Sequence, residues 1–446
     1  MADKEEKYAP PADMWEVNAN LDFNEPLSED DPRYVDTEKG RGEFNFKSLL
    51  TTLGVDVKKN ELRHPKEKSY NLFCGHRGCG KSTELRRLSR YLHQNNLFFV
   101  IFLDSVVDLD ANNLQYSDIL LSLANKLLMK TNENNIKVNK VFLKNLNHWF
   151  SEKVLKSEKL KDFSGEFEAG AEAKAGLPFL VKLSAKLTGK IKTGATYKEE
   201  IRQVVKNSFS EFAFAFNQLI KAVEITLKKT GKSRKLIFII DGTDRLNTDD
   251  SHRLFIKDIS QLQQVEANFI YCAPIHLLYE GNQVQQGFNQ FILPMIKICH
   301  EKSDRKYDEG YEVLREILYK RAYKKLFEQE AIVDMLIENS GGNPRDLLKL
   351  LHYALRASDM EHFTETDGKK AIHNLAMDYR MFLNTGDYEI LYKIDHSKTV
   401  DENSEQIRQL LYNLAIMQYN NYWWHSHPVI RHLEGYKRAG NAVFNL

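Results

Sequence analysis

Several absences narrow the function of this 446-residue chain before any motif is considered. It has only four cysteines, and none of them forms a Cys-x-x-Cys pair, so neither a disulfide framework nor a zinc site is indicated. No apolar run approaches the roughly 18 residues that a membrane-spanning helix needs. The charged N-terminus lacks the apolar stretch of a signal peptide. We therefore expect a soluble, cytoplasmic protein without a membrane span.

An excess of charge of one sign is also missing. The 63 Lys and Arg residues nearly balance the 62 Asp and Glu residues, which leaves a formal net charge of +1. Nucleic-acid binding would therefore need a local basic patch, because no basic field covers the whole chain.

The composition, 42% hydrophobic and 28% charged, is that of a globular protein. At about 100–200 residues per domain, the length predicts two to four domains.

Short apolar runs alternate with longer helical stretches from Tyr70 onward. This alternation is typical of an α/β protein whose parallel sheet is covered by helices. The runs are continuously apolar, which indicates strands buried on both faces. Pro294 in the last run indicates an edge strand, because proline cannot donate to a sheet ladder. The predicted strands are Tyr70–Cys74, Leu97–Leu103, Leu236–Ile240, Phe269–Ala273 and Phe291–Ile298.

The surrounding regions predict the domain boundaries. Residues 1–45 hold four of the ten prolines and indicate an extended N-terminal arm. The α/β core extends over 46–305, with an insertion at about 132–197, where the chain is far longer than a strand connection requires. Helical periodicity predicts a lid over 306–383. Two helical patterns followed by a hairpin predict a winged-helix-like domain over 384–446.

One segment matches the phosphate-binding pattern G-x-x-x-x-G-K-[ST], between a predicted strand and the predicted helix Lys81–Leu92. In such a loop the backbone N–H groups and the helix N-terminus face an anion. Lys81 would contact the β- and γ-phosphates, and the Ser82 hydroxyl would bind Mg²⁺. We therefore expect ATP binding by a P-loop NTPase fold with helices on both faces of the sheet. The expected nucleotide-binding residues are Gly75, His76, Arg77, Gly78, Cys79, Gly80, Lys81, Ser82 and Thr83.

An acidic segment follows the third predicted strand. Ligand groups lie at the carboxyl ends of parallel strands, so we expect Asp241 to hold Mg²⁺ through water. The alternative is an aspartate that caps the strand in a turn. Many P-loop ATPases have a glutamate directly after this aspartate to orient the attacking water, but Gly242 is present here. Asp244 is therefore the candidate for polarising water. Its alternative role is to fix the turn after the strand.

The run from Phe238 to Arg245 resembles the Walker B segment of NACHT and KAP ATPases, which belong to the STAND group. NACHT proteins carry a similar Asp-Gly-x-Asp, and KAP proteins have an x-Asp-Arg ending. The chain differs from NACHT proteins at Arg245, where a second acid is usual. The resemblance implies an ATP hydrolase, although the residue that activates water stays open.

A second resemblance lies at Gly341-Gly342-Asn343-Pro344-Arg345. It resembles the Gly-x-Pro and sensor-two element of STAND and origin-recognition-type AAA+ ATPases. The resemblance implies that Pro344 packs on the nucleobase and that Arg345 reaches the γ-phosphate. The alternative is a capped helix start with a solvated arginine.

Two further groups of residues have ordinary structural interpretations. Tyr271 and Cys272 lie nearest the tip of the strand that carries a polar sensor in related families, but an ordinary core strand explains them better. His425 and His427 lie close to Trp423 and Trp424 in the predicted hairpin, and packing explains them better than a metal site, since no further ligands are evident nearby.

These features predict an ATP-binding, slowly hydrolysing switch whose nucleotide state controls assembly or the binding of a separately encoded protein partner. The stretch Pro274–Ile296 has no Arg or Lys to act as an arginine finger, which favours a switch over a ring motor, although Arg245 or Arg253 could serve instead. Bacterial members of the group often belong to anti-phage defence systems, so the resemblance implies that setting. The competing function is a DNA-binding initiator or loader of the origin-recognition type. A basic winged-helix face would favour the latter.

Overall fold

The computed structural model describes residues 8–28, 30–42, 46–110, 113–160, 176–193, 197–231, 235–301, 303–401, 403–420 and 423–443. The predicted insertion at 132–197 lies partly outside these residues. The strands are β1 (Val55–Asp56), β2 (Glu61–Leu62), β3 (Ser69–Gly75), β4 (Phe98–Asp104), β5 (Lys235–Asp241), β6 (Asn268–Pro274), β7 (Asn289–Ile292), β8 (Cys299–His300), β9 (Ser303–Lys306), β10 (Ile416–Asn420) and β11 (Trp423–Ser426).

The α-helices fall into an earlier and a later group along the chain. The earlier ones are α1 (Met14–Asn20), α2 (Glu38–Arg41), α3 (Lys47–Thr52), α4 (Lys81–Gln94), α5 (Ser105–Asp108), α6 (Tyr116–Glu133), α7 (Lys140–Trp149), α8 (Leu177–Lys192), α9 (Lys198–Asn207) and α10 (Phe209–Lys229). The later ones are α11 (Thr248–His252), α12 (Ile259–Leu262), α13 (Asn282–Gly287), α14 (Asp308–Tyr319), α15 (Glu330–Ser340), α16 (Pro344–Ala357), α17 (Glu365–Arg380), α18 (Thr385–Ser397), α19 (Glu405–Tyr412) and α20 (Glu434–Val443).

The chain divides into two compact units. One unit, here called the sheet unit, comprises residues 46–74 and 85–291. The other, here called the P-loop unit, comprises residues 1–45, 75–84 and 292–446. The domain boundaries expected from the sequence stay a prediction.

The sheet unit is built around a five-stranded sheet with the order β4-β5-β6-β3-β7. The pairs β4–β5 and β5–β6 are parallel. Leu236 to Ile240 of β5 are fully buried, which explains why this strand is apolar without alternation. Helices α6 and α10 pack against β4 and β5. The α/β class expected from the sequence is confirmed.

The last predicted strand, Phe291–Ile298, is right only for its first two residues. Strand β7 ends at Ile292, two residues before Pro294. Later backbone groups bond elsewhere in the P-loop unit: the N–H of Met295 donates to Gln418 O (3.3 Å), and the N–H of Lys297 donates to Gly40 O (2.9 Å). The run is apolar because it is buried, and an apolar run alone does not distinguish a strand from other buried backbone.

The P-loop unit contains the helices expected for the lid, α14 to α17, and α16 packs along α17. Next come α18, α19 and the antiparallel hairpin β10–β11, in which Ile416 pairs with Ser426. This order of two helices and a hairpin is the predicted one, and its classification as a winged helix stays a prediction.

The N-terminal arm is more regular than expected. Helix α1 begins after Asp13, whose carboxylate caps it by accepting the N–H groups of Trp15 and Glu16. Met14 and Val17 are buried. The described part of the arm therefore contains two short helices, and its role as an arm stays a prediction. Among the described residues, no helix is long and apolar enough to cross a membrane.

Candidate nucleotide-binding site

The loop between β3 and α4 has a backbone that only glycine permits at two positions. Gly78 has φ +80° and Gly80 has φ +103°, both in the left-handed region. A Cβ on Gly75 would lie 2.8 Å from Leu293 O. The three glycines therefore shape the loop, as the phosphate-binding motif requires.

Lys81 is buried and held against this loop. Its Nζ donates to Gly75 O (2.9 Å) and His76 O (2.7 Å). Its side chain therefore has a fixed place beside the loop backbone. A phosphate bound in the loop would meet a positioned cation.

The start of α16 lies on the same loop. Asn343 caps this helix, since its Oδ1 accepts the N–H groups of Arg345 (3.0 Å) and Asp346 (3.3 Å). The Asn343 Nδ2 donates to Arg77 O (2.8 Å), and the Arg345 N–H also donates to Gly78 O (3.3 Å). The structure therefore brings Gly78 and Arg345 together. The contacts of Pro344 and Arg345 with a nucleotide stay predictions.

His76 faces the C-terminal hairpin. Its Nε2 accepts the backbone N–H of Gln418 at 2.8 Å. Burial, with a smaller effect from the Lys81 charge, lowers the pKa of His76 to about 3. The ring is therefore neutral at physiological pH and can keep accepting this bond.

Arg77 makes a second link to the C-terminal region. Its guanidinium lies 4.1 Å from the centre of the Tyr412 ring, and Nη2 donates to the Tyr412 hydroxyl at 2.5 Å. The side chains of His76 and Arg77 thus contact the C-terminal elements. These two residues can therefore contact a phosphate through their backbone N–H groups.

The lid and the hairpin also contact each other through buried polar groups. The Tyr419 hydroxyl donates to Gly341 O at 2.8 Å. Asp346 accepts from the Tyr379 hydroxyl (2.8 Å), and its Oδ2 lies 3.1 Å from His427 Nε2. Burial acts to raise the pKa of Asp346, but His427 and Tyr379 outweigh it, and the pKa is lowered.

His425 has a separate partner. Its Nδ1 lies 3.1 Å from Asp395 Oδ1, and Asp395 also accepts the Ser426 N–H (2.8 Å) and contacts Arg431. These contacts favour the packing interpretation of His425, because its ring joins the hairpin to α18.

In the sheet unit, Asp241 ends β5 and Gly242 follows it. Asp241 is buried, and its Oδ1 accepts the Gly242 N–H at 2.8 Å. Gly242 has φ +83°, and a Cβ there would lie 2.7 Å from Ser105 Oγ. The backbone and the packing therefore both exclude a glutamate at this position. Asp244 follows in the short turn Thr243–Arg245 and is also buried.

Asp104 is an acid near Asp241 that the sequence reasoning did not consider. It ends β4 and is the register partner of Asp241. Its Oδ1 accepts the Val106 N–H (3.1 Å), and its Oδ2 lies 3.2 Å from Arg86 Nη2. Strand pairing could not be read from a single sequence, so this neighbour was missed.

Tyr271 and Cys272 are fully buried in β6. The Tyr271 ring stacks on Phe269, with ring centroids 5.6 Å apart. The Thr243 hydroxyl donates to the Cys272 carbonyl. These contacts favour the core interpretation for both residues over a sensor role.

Comparison with known proteins agrees with this geometry. Residues 67–270 match the model of the KAP family P-loop domain. The match covers somewhat less than half of the chain and includes both the glycine-rich loop and Asp241. The chain therefore contains a P-loop NTPase domain. The matched segment is similar to KAP-type domains, in agreement with the Walker B resemblance.

Three solved structures resemble the chain over most of its length. The Orc1 protein of Aeropyrum pernix in complex with DNA is 10% identical, with 97% of this chain and 98% of that chain covered and a TM-score of 0.37. The Walker-type ATPase PABY2304 of Pyrococcus abyssi is 13% identical, with 92% and 98% covered and a TM-score of 0.41. Cdc6p of Pyrobaculum aerophilum is 10% identical, with 92% and 99% covered and a TM-score of 0.36. No curated protein matches the sequence.

Proposed function

We propose that this protein is an ATP-binding and slowly hydrolysing switch whose nucleotide state controls assembly or the binding of a protein partner. One observation carries the proposal. The phosphate-binding loop is hydrogen-bonded to the start of α16 and, through His76, to β10. A loop that binds phosphate and also contacts the lid and the hairpin can link the ligand to both.

The physical basis is linkage. A ligand shifts a conformational equilibrium only by its difference in affinity for the two states. The carbonyls of Arg77 and Gly78 already accept hydrogen bonds from the lid. A nucleotide that orders or rotates these peptides therefore changes the free energy of the lid contact. The same holds for the hydrogen bond between His76 and Gln418.

The residues present fit a nucleotide with Mg²⁺. The left-handed glycines let the loop backbone curve so that its N–H groups can face an anion, and Lys81 supplies the positive charge. Ser82 and Asp241 would hold Mg²⁺, which neutralises phosphate charge when bound. Asp244 would polarise the attacking water. Pro344 would pack on the base, and Arg345 would contact the γ-phosphate.

Slow turnover follows from the residue next to Asp241 in the chain, which is Gly242. Gly242 cannot be replaced by the glutamate that orients water in faster enzymes, because Ser105 fills the space. Asp244 must orient the attacking water from a position two residues further along the chain. A long-lived ATP state is what a switch needs, since the bound state must last long enough to recruit a partner.

A separate protein chain is the partner that we favour. In the described part of 384–443, acidic and basic residues are balanced, and Arg408 of α19 pairs with Glu405 on the same helix (2.8 Å). A DNA-binding surface would need unpaired basic side chains. The origin-recognition type of function is therefore the second candidate, and anti-phage defence is the setting that the resemblance implies.

The test is to measure nucleotide binding and particle mass together. Wild type, Lys81→Ala and the control Lys59→Ala, which alters an exposed lysine, are titrated with ATP and ADP by calorimetry. The mass of each state is then measured by light scattering, alone and with proteins that co-purify. We expect Lys81→Ala alone to lose nucleotide binding and any ATP-dependent association. A wild-type affinity in Lys81→Ala would contradict the assignment of the site.

A further inference from the structure

Arg41 of the N-terminal arm is a buried cation beside the phosphate-binding loop. It ends α2, and its residue is 2% exposed. Burial lowers its pKa, because the charged form loses solvation. A buried guanidinium is costly unless its N–H groups are satisfied, so the partners of Arg41 indicate what this charge does.

The N–H donors of the Arg41 guanidinium bond to three segments of the P-loop unit. Nε donates to the Thr37 hydroxyl (2.9 Å), Nη1 donates to the Pro294 carbonyl, and Nη2 donates to the Cys79 carbonyl (2.6 Å). These three acceptors are neutral oxygens. The planar guanidinium suits this arrangement, because its donors point in fixed directions.

The bond to Cys79 fixes one peptide of the loop. In a trans peptide the C=O of one residue and the N–H of the next point in opposite directions. Holding the Cys79 carbonyl on Arg41 therefore turns the Gly80 N–H away from Arg41. Gly80 has φ +103°, a conformation that other residues rarely adopt but that glycine reaches without steric cost, so a contact from outside can select it among the conformations open to this peptide.

We propose that Arg41 is a positioning residue of the nucleotide site, which clamps the Cys79–Gly80 peptide so that the Gly80 N–H faces the bound phosphate. This inference rests on the proposed function, because it requires a phosphate in the loop. It also makes the arm part of the site. The Lys297 N–H donates to Gly40 O, so the arm is fixed to the backbone directly before Arg41.

The test uses Arg41→Lys, which keeps the positive charge but loses the planar arrangement of N–H donors. The control is Arg33→Lys, on the same arm, whose guanidinium pairs with Asp31 at 2.6 Å. Affinities for ATP, ADP and pyrophosphate are measured by calorimetry, with a thermal melt of each variant. Losing one well-aligned charged hydrogen bond predicts about a tenfold loss of affinity for all three ligands in Arg41→Lys. Pyrophosphate has no base or sugar, so its weaker binding would locate the defect at the phosphate loop.

A merely structural Arg41 would lower the melting temperature and leave the three affinities of the folded protein unchanged. That result would overturn the proposal. If Arg41→Lys does not fold, Thr37→Val decides, since it keeps the guanidinium and removes the oxygen that orients Nε. We expect a smaller loss of the same kind, about twofold to fivefold. Unchanged affinities in Thr37→Val would then overturn it. If wild type binds none of the three ligands, the proposed function itself has failed.

Discussion

Replacing Arg345 with alanine tests how the lid recognises the nucleotide. The Arg345 N–H donates to Gly78 O at 3.3 Å, and a Cβ on Gly78 would lie 2.6 Å from the Arg345 Cβ. The side chain of Arg345 therefore starts directly beside the loop. An alanine keeps the backbone N–H and the cap by Asn343, so only the guanidinium is lost.

The size of the effect follows from the bond that is removed. A charge-assisted hydrogen bond contributes about 1.5–3 kcal/mol, which corresponds to about tenfold to a hundredfold in an equilibrium constant. ADP lacks the γ-phosphate. We therefore expect Arg345→Ala to lose most of its preference for ATP over ADP, with little change in ADP affinity.

The assay is calorimetric titration of both nucleotides into wild type, Arg345→Ala and Arg356→Ala. Arg356 lies in the last turn of the same helix and is exposed, so this control removes an equal charge far along α16. The control should keep the wild-type ratio of the two affinities. An unchanged ratio in Arg345→Ala would refute the sensor role and leave Asn343-Pro344-Arg345 as a capped helix start.

Four further substitutions test the acids, the packing at Gly242 and the neutral histidine. Asp241→Ala should lose Mg²⁺-dependent binding, whereas Asp244→Ala should keep ATP bound and lose turnover, measured as phosphate release; normal release by Asp244→Ala would exclude its role. Gly242→Ala should lower the free energy of unfolding by about 1–3 kcal/mol in a denaturant titration, because φ is +83° and Ser105 Oγ would lie 2.7 Å from the new Cβ. His76 is neutral when folded, with its pKa lowered to about 3, and binds a proton more readily when unfolded. The contribution of His76 to the free energy of unfolding is therefore present above pH 6.5 and is lost as the pH falls from 6.5 towards about 3. Near pH 5 the loss is roughly 2 kcal/mol. His76→Gln should show a weaker loss of stability between pH 6.5 and 5, and an identical pH dependence would contradict the burial argument.

The sequence predicted the features that are contiguous along the chain. The phosphate-binding loop was found because its glycines, Lys81 and Ser82 lie within one motif, and β5 because burial on both faces makes it continuously apolar. The capped start of α16 was also readable, since Asn343 and Pro344 are standard residues for a helix beginning.

The features that the sequence did not reveal depend on residues far apart in the chain. His76 accepts from Gln418, 342 positions later, and Arg41 donates to Cys79, 38 positions later. Neither contact leaves a periodic pattern or a spacing rule. The last predicted strand failed after Ile292 for a related reason, because the N–H groups of Met295 and Lys297 bond to Gln418 and Gly40 rather than to a neighbouring strand.

The central claim is that the nucleotide at the loop changes the C-terminal hairpin. Hydrogen exchange at the backbone amides of Ile416–Asn420 and Trp423–Ser426 measures this most directly, with ATP, with ADP and without nucleotide. The account predicts that exchange in wild type differs between ATP and ADP, most at the Gln418 amide that His76 holds, and that Lys81→Ala shows no difference. Identical exchange in the three states, with nucleotide binding confirmed in the same sample, would contradict the account.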